Sequence, residues 1–436
     1  MATGTQSRIA VAAALAGLLF GFDTAVVSGV TTPITHAFAL SATGTGIAVS
    51  AALVGTLIAA LGAGMPGDRY GARAVLRWVG IAFILSALGC ALSWDLASFV
   101  LFRFIGGLAI GGASVLAPVF IAEISPASRR GALVGLFQLS IVSGILAAYC
   151  SNAVVTALLE DGSGWRWKLG VMIVPGLIFL AAMFTIPQSP RWLAARGRES
   201  EALDVAAQIG LTDWTLTAPD AEAAVEERLS WALHRKPILL AIAIASFNQL
   251  TGINAILYYL NDIFAAAGFS QVSADVQAVS IGAANLLATL LAMTLIDRVG
   301  RRTLLLVGAA GTAVALAGVA GVYSGTGREA LLLPLLVLFI AFFAVSQGAV
   351  IWVYLSEIFP TRVRARGQAL GSATHWIWAA VLSFGFPVLA REFDRSLPFW
   401  FFAAATLVQL VVVWRFFPET KGVRLERMEE ALRGKR

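Results

Sequence analysis

Apolar stretches of about twenty residues, separated by short clusters of charge, run through this chain from end to end. A membrane-crossing helix needs about 20 mostly apolar residues. Windows of that kind lie near 9–30, 45–65, 74–93, 97–122, 131–155 and 167–187, and again near 237–266, 273–296, 303–323, 330–357, 368–390 and 397–417. The pattern predicts an all-α polytopic membrane protein with twelve transmembrane helices. Between the sixth and seventh windows, Glu199–Ile209 and Pro219–Leu233 carry helical spacing in polar sequence. They read as a cytoplasmic helical linker too small for a catalytic domain. The expected organisation is an N-terminal six-helix bundle (1–187), the linker (188–236), a C-terminal six-helix bundle (237–417) and a cytoplasmic tail (418–436). The tail contains a further amphipathic stretch, Val423–Leu432.

One window departs from the apolar pattern. Ser246–Tyr259 reads SFNQLTGINAILYY and places Asn248, Gln249, Thr251 and Asn254 where hydrocarbon would be expected. A buried amide without a partner costs roughly 2–7 kcal/mol, depending on the reference state. Other helices, water or a polar ligand must therefore satisfy these groups. Gln249 and Asn254 are five residues apart, about 140° around an unbroken helix. They can face one cavity if the helix is distorted at Gly252, and broken helices line membrane binding sites. An uncharged, hydroxyl-rich ligand suits such groups.

Composition supports the membrane reading. The chain is 58% hydrophobic and 13% charged, with a mean hydropathy of +0.82, against about 25% charged residues in a soluble domain. A pI near 9.7 raises the question of nucleic acid, but the placement of the basic residues answers it. Arg166, Lys168, Arg328, Arg391 and Arg395 are assigned to the outside and Arg103 to a span; the rest of the 31 fall in segments that are cytoplasmic if the N-terminus is inside. That asymmetry is the positive-inside rule, and it puts both termini in the cytoplasm. Cys90 and Cys150 lie in apolar runs and suggest neither a disulfide framework nor a metal site. His36, His234 and His375 are scattered, with no concentrated acid, base or metal cluster of an enzyme, and no cofactor is implied. The first apolar run imitates a signal peptide, but it extends to Val30 and contains Asp23, so it reads as the first span.

The halves repeat. Gly67-Asp68-Arg69-Tyr70-Gly71-Ala72-Arg73 recurs as Asp297-Arg298-Val299-Gly300-Arg301-Arg302. Glu123-Ile124-Ser125-Pro126, followed by Arg129-Arg130-Gly131, recurs as Glu357-Ile358-Phe359-Pro360 followed by Arg364 and Arg366-Gly367. Pro187-Gln188-Ser189-Pro190-Arg191 has a weaker echo in Pro418-Glu419-Thr420-Lys421-Gly422. The offsets of 229, 234 and 231 residues describe a six-span unit duplicated in parallel, a transporter signature. GGLAIGG, with its Gly107–Gly111 step, reads as close helix packing.

Together these motifs, with PxSPRWL, Q-L-x-G-I-N-x-x-x-Y-Y and PETKG, resemble the sugar porter family of the major facilitator superfamily over almost the whole chain. The resemblance implies two six-helix bundles of the major facilitator fold, alternating access and a monosaccharide substrate. It implies sugar contacts at Gln138, Gln249, Asn254, Asn285, Trp352 and Trp376, with Asn248 and His375 beside them, and an outer gate at Tyr258 and Tyr259. Several positions depart from the family pattern. Asn248 stands for the usual first Gln of its pair, Ala349 for the Pro of GPxxW, and His375 for an Asn or Gln. Ile145 stands where some members carry Gln, and Gln188 stands for the Glu of PESPR.

Charged groups complete the expectation. Asp68, Arg69, Arg73, Asp297, Arg298, Arg301 and Arg302, with Glu123, Arg130, Glu357 and Arg366, form an expected cytoplasmic latch of ion pairs between bundles. Asp23 lies about 10 Å from the outer end of span one and Arg103 about 9 Å from the outer start of span four, at 1.5 Å per residue. They share a depth in one bundle, and an intramembrane charge marks function by default. Facilitative members of the family typically carry Asn in place of Asp23. The pair is therefore the expected proton-coupling site of a proton–monosaccharide importer, functioning as a monomer in the cell membrane, with a facilitative uniporter or a non-transporting sugar sensor on the same fold as the alternatives. Its partners are the sugar, protons and the lipid bilayer, with no nucleic acid.

Overall fold

The computed structural model describes residues 2–126, 129–159, 163–211, 228–325, 328–360 and 363–422. Among them are twelve helices long and apolar enough to cross a membrane, and no strand. We number them α1 (Gly4–Gly29), α2 (Ala42–Gly62), α3 (Ala72–Ala91), α4 (Leu96–Glu123), α5 (Arg130–Leu158), α6 (Gly164–Thr185), α7 (Trp231–Tyr258), α8 (Gln271–Val299), α9 (Arg301–Tyr323), α10 (Glu329–Glu357), α11 (Arg364–Phe393) and α12 (Leu397–Phe416).

Several starts are set by side-chain caps. Ser41 accepts the Gly44 N–H ahead of α2 at 3.1 Å, and Ser270 the Ser273 N–H ahead of α8 at 3.3 Å. Asp95 and Ser98 form a reciprocal box at the start of α4, with bonds of 2.8 and 3.2 Å. Such caps satisfy N–H groups that the first helical turn leaves open.

The chain divides into two compact units, Met1–Ala218 and Pro219–Arg436, each with six of the spans. In the first, α1 packs on α5, α2 on α4, and α3 on both α4 and α6. In the second, α7 packs on α11, α8 on α10, and α9 on both α10 and α12. Adding six to each label of the first set gives the second, so the sequence repeat is a repeat of packing. Small residues permit it. A Cβ at Gly107 of α4 would stand 1.9 Å from the Ala52 carbonyl oxygen of α2, and one at Gly111 would stand 2.4 Å from that of Thr56.

The expected helix Glu199–Ile209 is present and, with Pro190–Ala195, belongs to the first unit. Gln6 Nε2 donates to the Gly210 carbonyl at 3.2 Å, and Trp192 Nε1 to that of Asp68 at 2.7 Å. The second linker stretch lies outside the described residues up to position 227, and so does Val423–Leu432.

Candidate functional site

α7 breaks where its sequence is most polar. Gly252 takes left-handed backbone angles (φ 78°, ψ 13°) between the helical segments Trp231–Leu250 and Ile253–Tyr258. Glycine alone suits the position, because a Cβ there would also stand 2.3 Å from the Phe402 ring. Thr251 Oγ1 donates to the Asn248 carbonyl freed at the break, at 2.8 Å. The break carries Asn254 round to Gln249, and Asn254 Nδ2 donates to Gln249 Oε1 at 3.1 Å.

From there the bonds run in one direction. Gln249 Nε2 donates to Asn248 Oδ1 at 3.0 Å, and Asn248 Nδ2 donates to the Gln347 carbonyl on α10 at 3.3 Å. Gln249 Nε2 also lies 3.1 and 3.3 Å from the two ring nitrogens of His375 on α11. A neutral imidazole accepts at whichever nitrogen lacks the proton. His375 is buried between Trp352 and Trp376, with ring centroids 5.2 and 4.9 Å away. Trp376 is buried and Trp352 is 40% exposed.

The other expected contacts are less gathered. Asn285 is buried on α8, and Gln138 is half-buried on α5 of the first unit. Tyr258 and Tyr259 are both buried. Tyr259 donates its hydroxyl to the Ser383 carbonyl on α11 at 3.0 Å and stacks on Phe386 at 5.2 Å. In this conformation it ties the end of α7 to α11.

Asn248, Gln249, Asn254, His375 and the two tryptophans give the second unit amides, an imidazole and indole faces. Amides both donate and accept, and an indole offers an apolar face with an N–H at its rim. Such a cluster can exchange hydrogen bonds with a neutral polyhydroxyl compound and cover its C–H face. No charged side chain takes part in its described bonds.

The first unit holds the charged site. Arg103 Nη1 donates to Asp23 Oδ1 at 2.5 Å and Nη2 to Oδ2 at 3.2 Å, a two-pronged pairing of α4 with α1. Both side chains are 2% exposed. A charge in a spanning helix is costly and characteristically marks an ion or proton path. The shared depth expected from the sequence becomes direct contact.

The loop motifs fasten helix ends. Arg301 pairs with Glu357 at 2.9 Å and with Asp297 at 3.0 Å, and Thr420 donates to Glu357 at 2.6 Å. These ion pairs of the expected latch lie within the second unit. Arg302 Nη2 donates to the Trp414 carbonyl at 2.5 Å, and Lys421 to that of Arg298 at 2.6 Å. In the first unit, Arg73 donates to the Ile186 carbonyl at 3.0 Å, Arg196 to those of Asp68 and Arg69 at 2.8 and 3.1 Å, and Ser189 to Glu123. Arg130 and Arg366 lie in the first turns of α5 and α11.

Several buried polar residues were not singled out from the sequence, and Lys168, Asp275 and Gln347 are three of them. Lys168, assigned above to the outside, belongs to α6 and is 2% exposed; its Nζ donates to the Gly29 carbonyl at 3.1 Å. Asp275 lies inside an expected span, is buried, and accepts from Asn261 Nδ2 at 2.5 Å. Gln347 sits in the apolar run of α10. Position within a window was the only available signal for the first two, and a lone polar residue among apolar ones for the third.

The sequence matches the family described as Sugar (and other) transporter over residues 9–432. It is 35% identical over 437 residues to the arabinose-proton symporter of Bacillus subtilis (strain 168), covering 97% of this chain and 94% of that one. It is 32% identical over 469 residues to the D-xylose-proton symporter of Escherichia coli (strain K12), with the same coverage. It is 34% identical over 470 residues to the glucose facilitated diffusion protein of Zymomonas mobilis, covering 99% and 98%. The fold matches the xylose transporter XylE from E. coli in a partially occluded inward open conformation with a TM-score of 0.85 at 30% identity, over 97% of this chain and all of that one. The match to XylE, a major facilitator superfamily protein, bound to 6-bromo-6-deoxy-D-glucose has a TM-score of 0.81. With its twelve spans, its duplicated unit and relatives that are transporters rather than enzymes, the chain belongs to the sugar transporter family of the major facilitator superfamily.

Proposed function

We propose that this protein imports a monosaccharide, a hexose or a pentose, by proton symport through alternating access. The observation that carries the coupling is the buried fork between Asp23 and Arg103. When Asp23 takes a proton from the outside, the pair loses its attraction. Arg103 can then re-pair with other polar groups, and α1 and α4 are free to shift. A carrier loaded with both sugar and proton reorients more easily than one holding an unbalanced buried charge. Release of the proton inside restores the pair.

The uncharged chain of Asn254, Gln249 and Asn248, flanked by His375, Trp352 and Trp376, supports a neutral sugar as cargo. Relatives named as proton symporters of arabinose and D-xylose support both the coupling and the substrate class. The placement of basic residues supports a cell-membrane protein with both termini in the cytoplasm, and we take the monomer as the working unit.

Uptake of labelled D-xylose, L-arabinose and D-glucose into proteoliposomes tests this. The wild type should accumulate at least one of them when the lumen is alkaline, and only equilibrate it without a gradient. Asp23→Asn should keep binding and sugar-for-sugar exchange and lose accumulation. Accumulation by Asp23→Asn would remove Asp23 as the coupling site. A wild type that equilibrates sugar yet never accumulates it would be a uniporter. Gln249→Ala should raise the sugar Kd about 10-fold, as expected for one lost buried hydrogen-bond partner.

A further inference from the structure

Gln347 occupies an unusual place. It lies in Ala344–Gly348, a widened π-helical turn inside α10. Such turns are rare and occur frequently at functional sites. Its side chain is 2% exposed. Among the described residues, neither the oxygen nor the nitrogen of its carboxamide has a hydrogen-bond partner in the protein. A buried amide in that state is unfavourable unless something else satisfies it.

Its surroundings indicate what that partner is. The Gln347 backbone carbonyl accepts from Asn248, which accepts from Gln249, which accepts from Asn254. Gln347 is thus the terminus of the hydrogen-bond chain assigned above to the sugar. Gln409 on α12 is the useful contrast. It is equally buried, and among the described residues both of its amide atoms lack partners, but it makes no described bond to that chain.

We propose that Gln347 is a further sugar-binding residue, whose carboxamide takes a hydroxyl of the monosaccharide and so helps determine which sugar is selected. The inference rests on the sugar-site reading. One amide can donate to one sugar hydroxyl and accept from it or from its neighbour, so its effect belongs to particular hydroxyls and not to the ring as a whole.

The test is calorimetric binding to the purified full-length protein. The probes are whichever of D-glucose, D-xylose and L-arabinose binds most tightly, and its single-deoxy analogues. Gln347→Met preserves length and removes the polar atoms. It should raise the Kd of the parent sugar about 10-fold, as expected for loss of one buried hydrogen-bond partner, while at least one deoxy analogue binds both proteins equally. Gln347→Asn, which keeps the amide but shortens its reach, should show the same hydroxyl-selective loss. It serves as the second variant if the first does not fold. Gln409→Met should leave every affinity unchanged. Unaltered affinities in both Gln347 variants, or a loss equal for the parent and all its deoxy analogues, would overturn the proposal. If Gln249→Ala weakens binding and the Gln347 variants do not, this inference falls and the sugar site stands. If none of the three weakens binding, the sugar site itself is misplaced.

Discussion

Gln188 holds in the first unit the position that Glu419 holds in the second. Each carbonyl-type oxygen accepts the N–H of the next residue, at 3.2 Å for Gln188 and 2.9 Å for Glu419. Each side chain also lies against the glycine that opens the following repeat helix, Gly71 before α3 and Gly300 before α9. Glu419 goes further and accepts the Arg301 and Arg302 N–H groups at 2.9 and 3.1 Å, capping α9 with a carboxylate.

That difference predicts opposite responses to exchanging the two side chains. Partial burial pushes the Glu419 carboxyl up, but the N–H groups of Lys421, Arg301, Arg302 and Thr420 outweigh it and leave it below its ordinary 4.5. A carboxyl lowered in the folded state adds stability above its unfolded value and loses it as pH falls through the folded one. Glu419→Gln should therefore lower the melting temperature at pH 7, with the deficit shrinking below about pH 4.5. Gln188→Glu should stabilise by about 0.3–1 kcal/mol, the usual scale for an anion at a helix N-terminus. Equal melting curves for Glu419→Gln and wild type at pH 7 would refute the cap.

The Asp23–Arg103 fork predicts strong non-additivity. Arg103→Gln leaves a buried carboxylate without its counter-charge and should destabilise by about 3–5 kcal/mol. Adding Asp23→Asn should recover much of that loss, because two neutral amides can pair. Thermal melting in detergent reports both. A double variant as unstable as the sum of the singles would show that the groups act separately.

Lys168 holds the end of α1. Its ammonium meets the Gly29 carbonyl, and Asn152 Nδ2 donates to Val26 one turn earlier at 3.2 Å. Lys168→Met should destabilise the protein by about 1–3 kcal/mol, the scale for a buried acceptor losing its donor. A melting temperature equal to wild type would show that Gly29 finds another partner.

Gly252→Ala should separate folding from binding. An L-residue in left-handed backbone costs about 1–2 kcal/mol, and the added Cβ meets the Phe402 ring. Relief by straightening α7 would carry Asn254 away from Gln249. The variant should insert into membranes and lose sugar affinity, measured by calorimetry. Wild-type affinity would show that the break is not needed for the site.

Topology is open to a direct check. Cysteines introduced at Ser200 and at the C-terminus should be labelled only from the cytoplasm, and one at Gly162 only from outside. External labelling at the C-terminus would contradict the proposed orientation.

The spans were legible because crossing a membrane is a local property of length and apolarity. The window at 273–296 became Gln271–Val299, and that at 303–323 became Arg301–Tyr323. The duplication was legible because repeated loops mark it. A distortion at Gly252 was one way to bring Asn254 round to Gln249, and the chain takes it. Asp23 and Arg103 could be matched by depth, since helical rise is constant. Depth does not specify rotation. Which way each helix turns about its axis depends on neighbours far away in the chain, and this rotation decides the partners of every buried polar group. Asn248 therefore bonds Gln347, and Lys168 bonds Gly29, for reasons no local spacing records. The same holds for Asp275 and Asn261, and for the Gln347 amide, which has no partner among the described residues. The residue pattern located the apolar crossings and set Asp23, Arg103 and the α7 amides within them; the rotation of packed helices decided that Lys168 joins α6 and which buried polar groups meet a partner among the described residues.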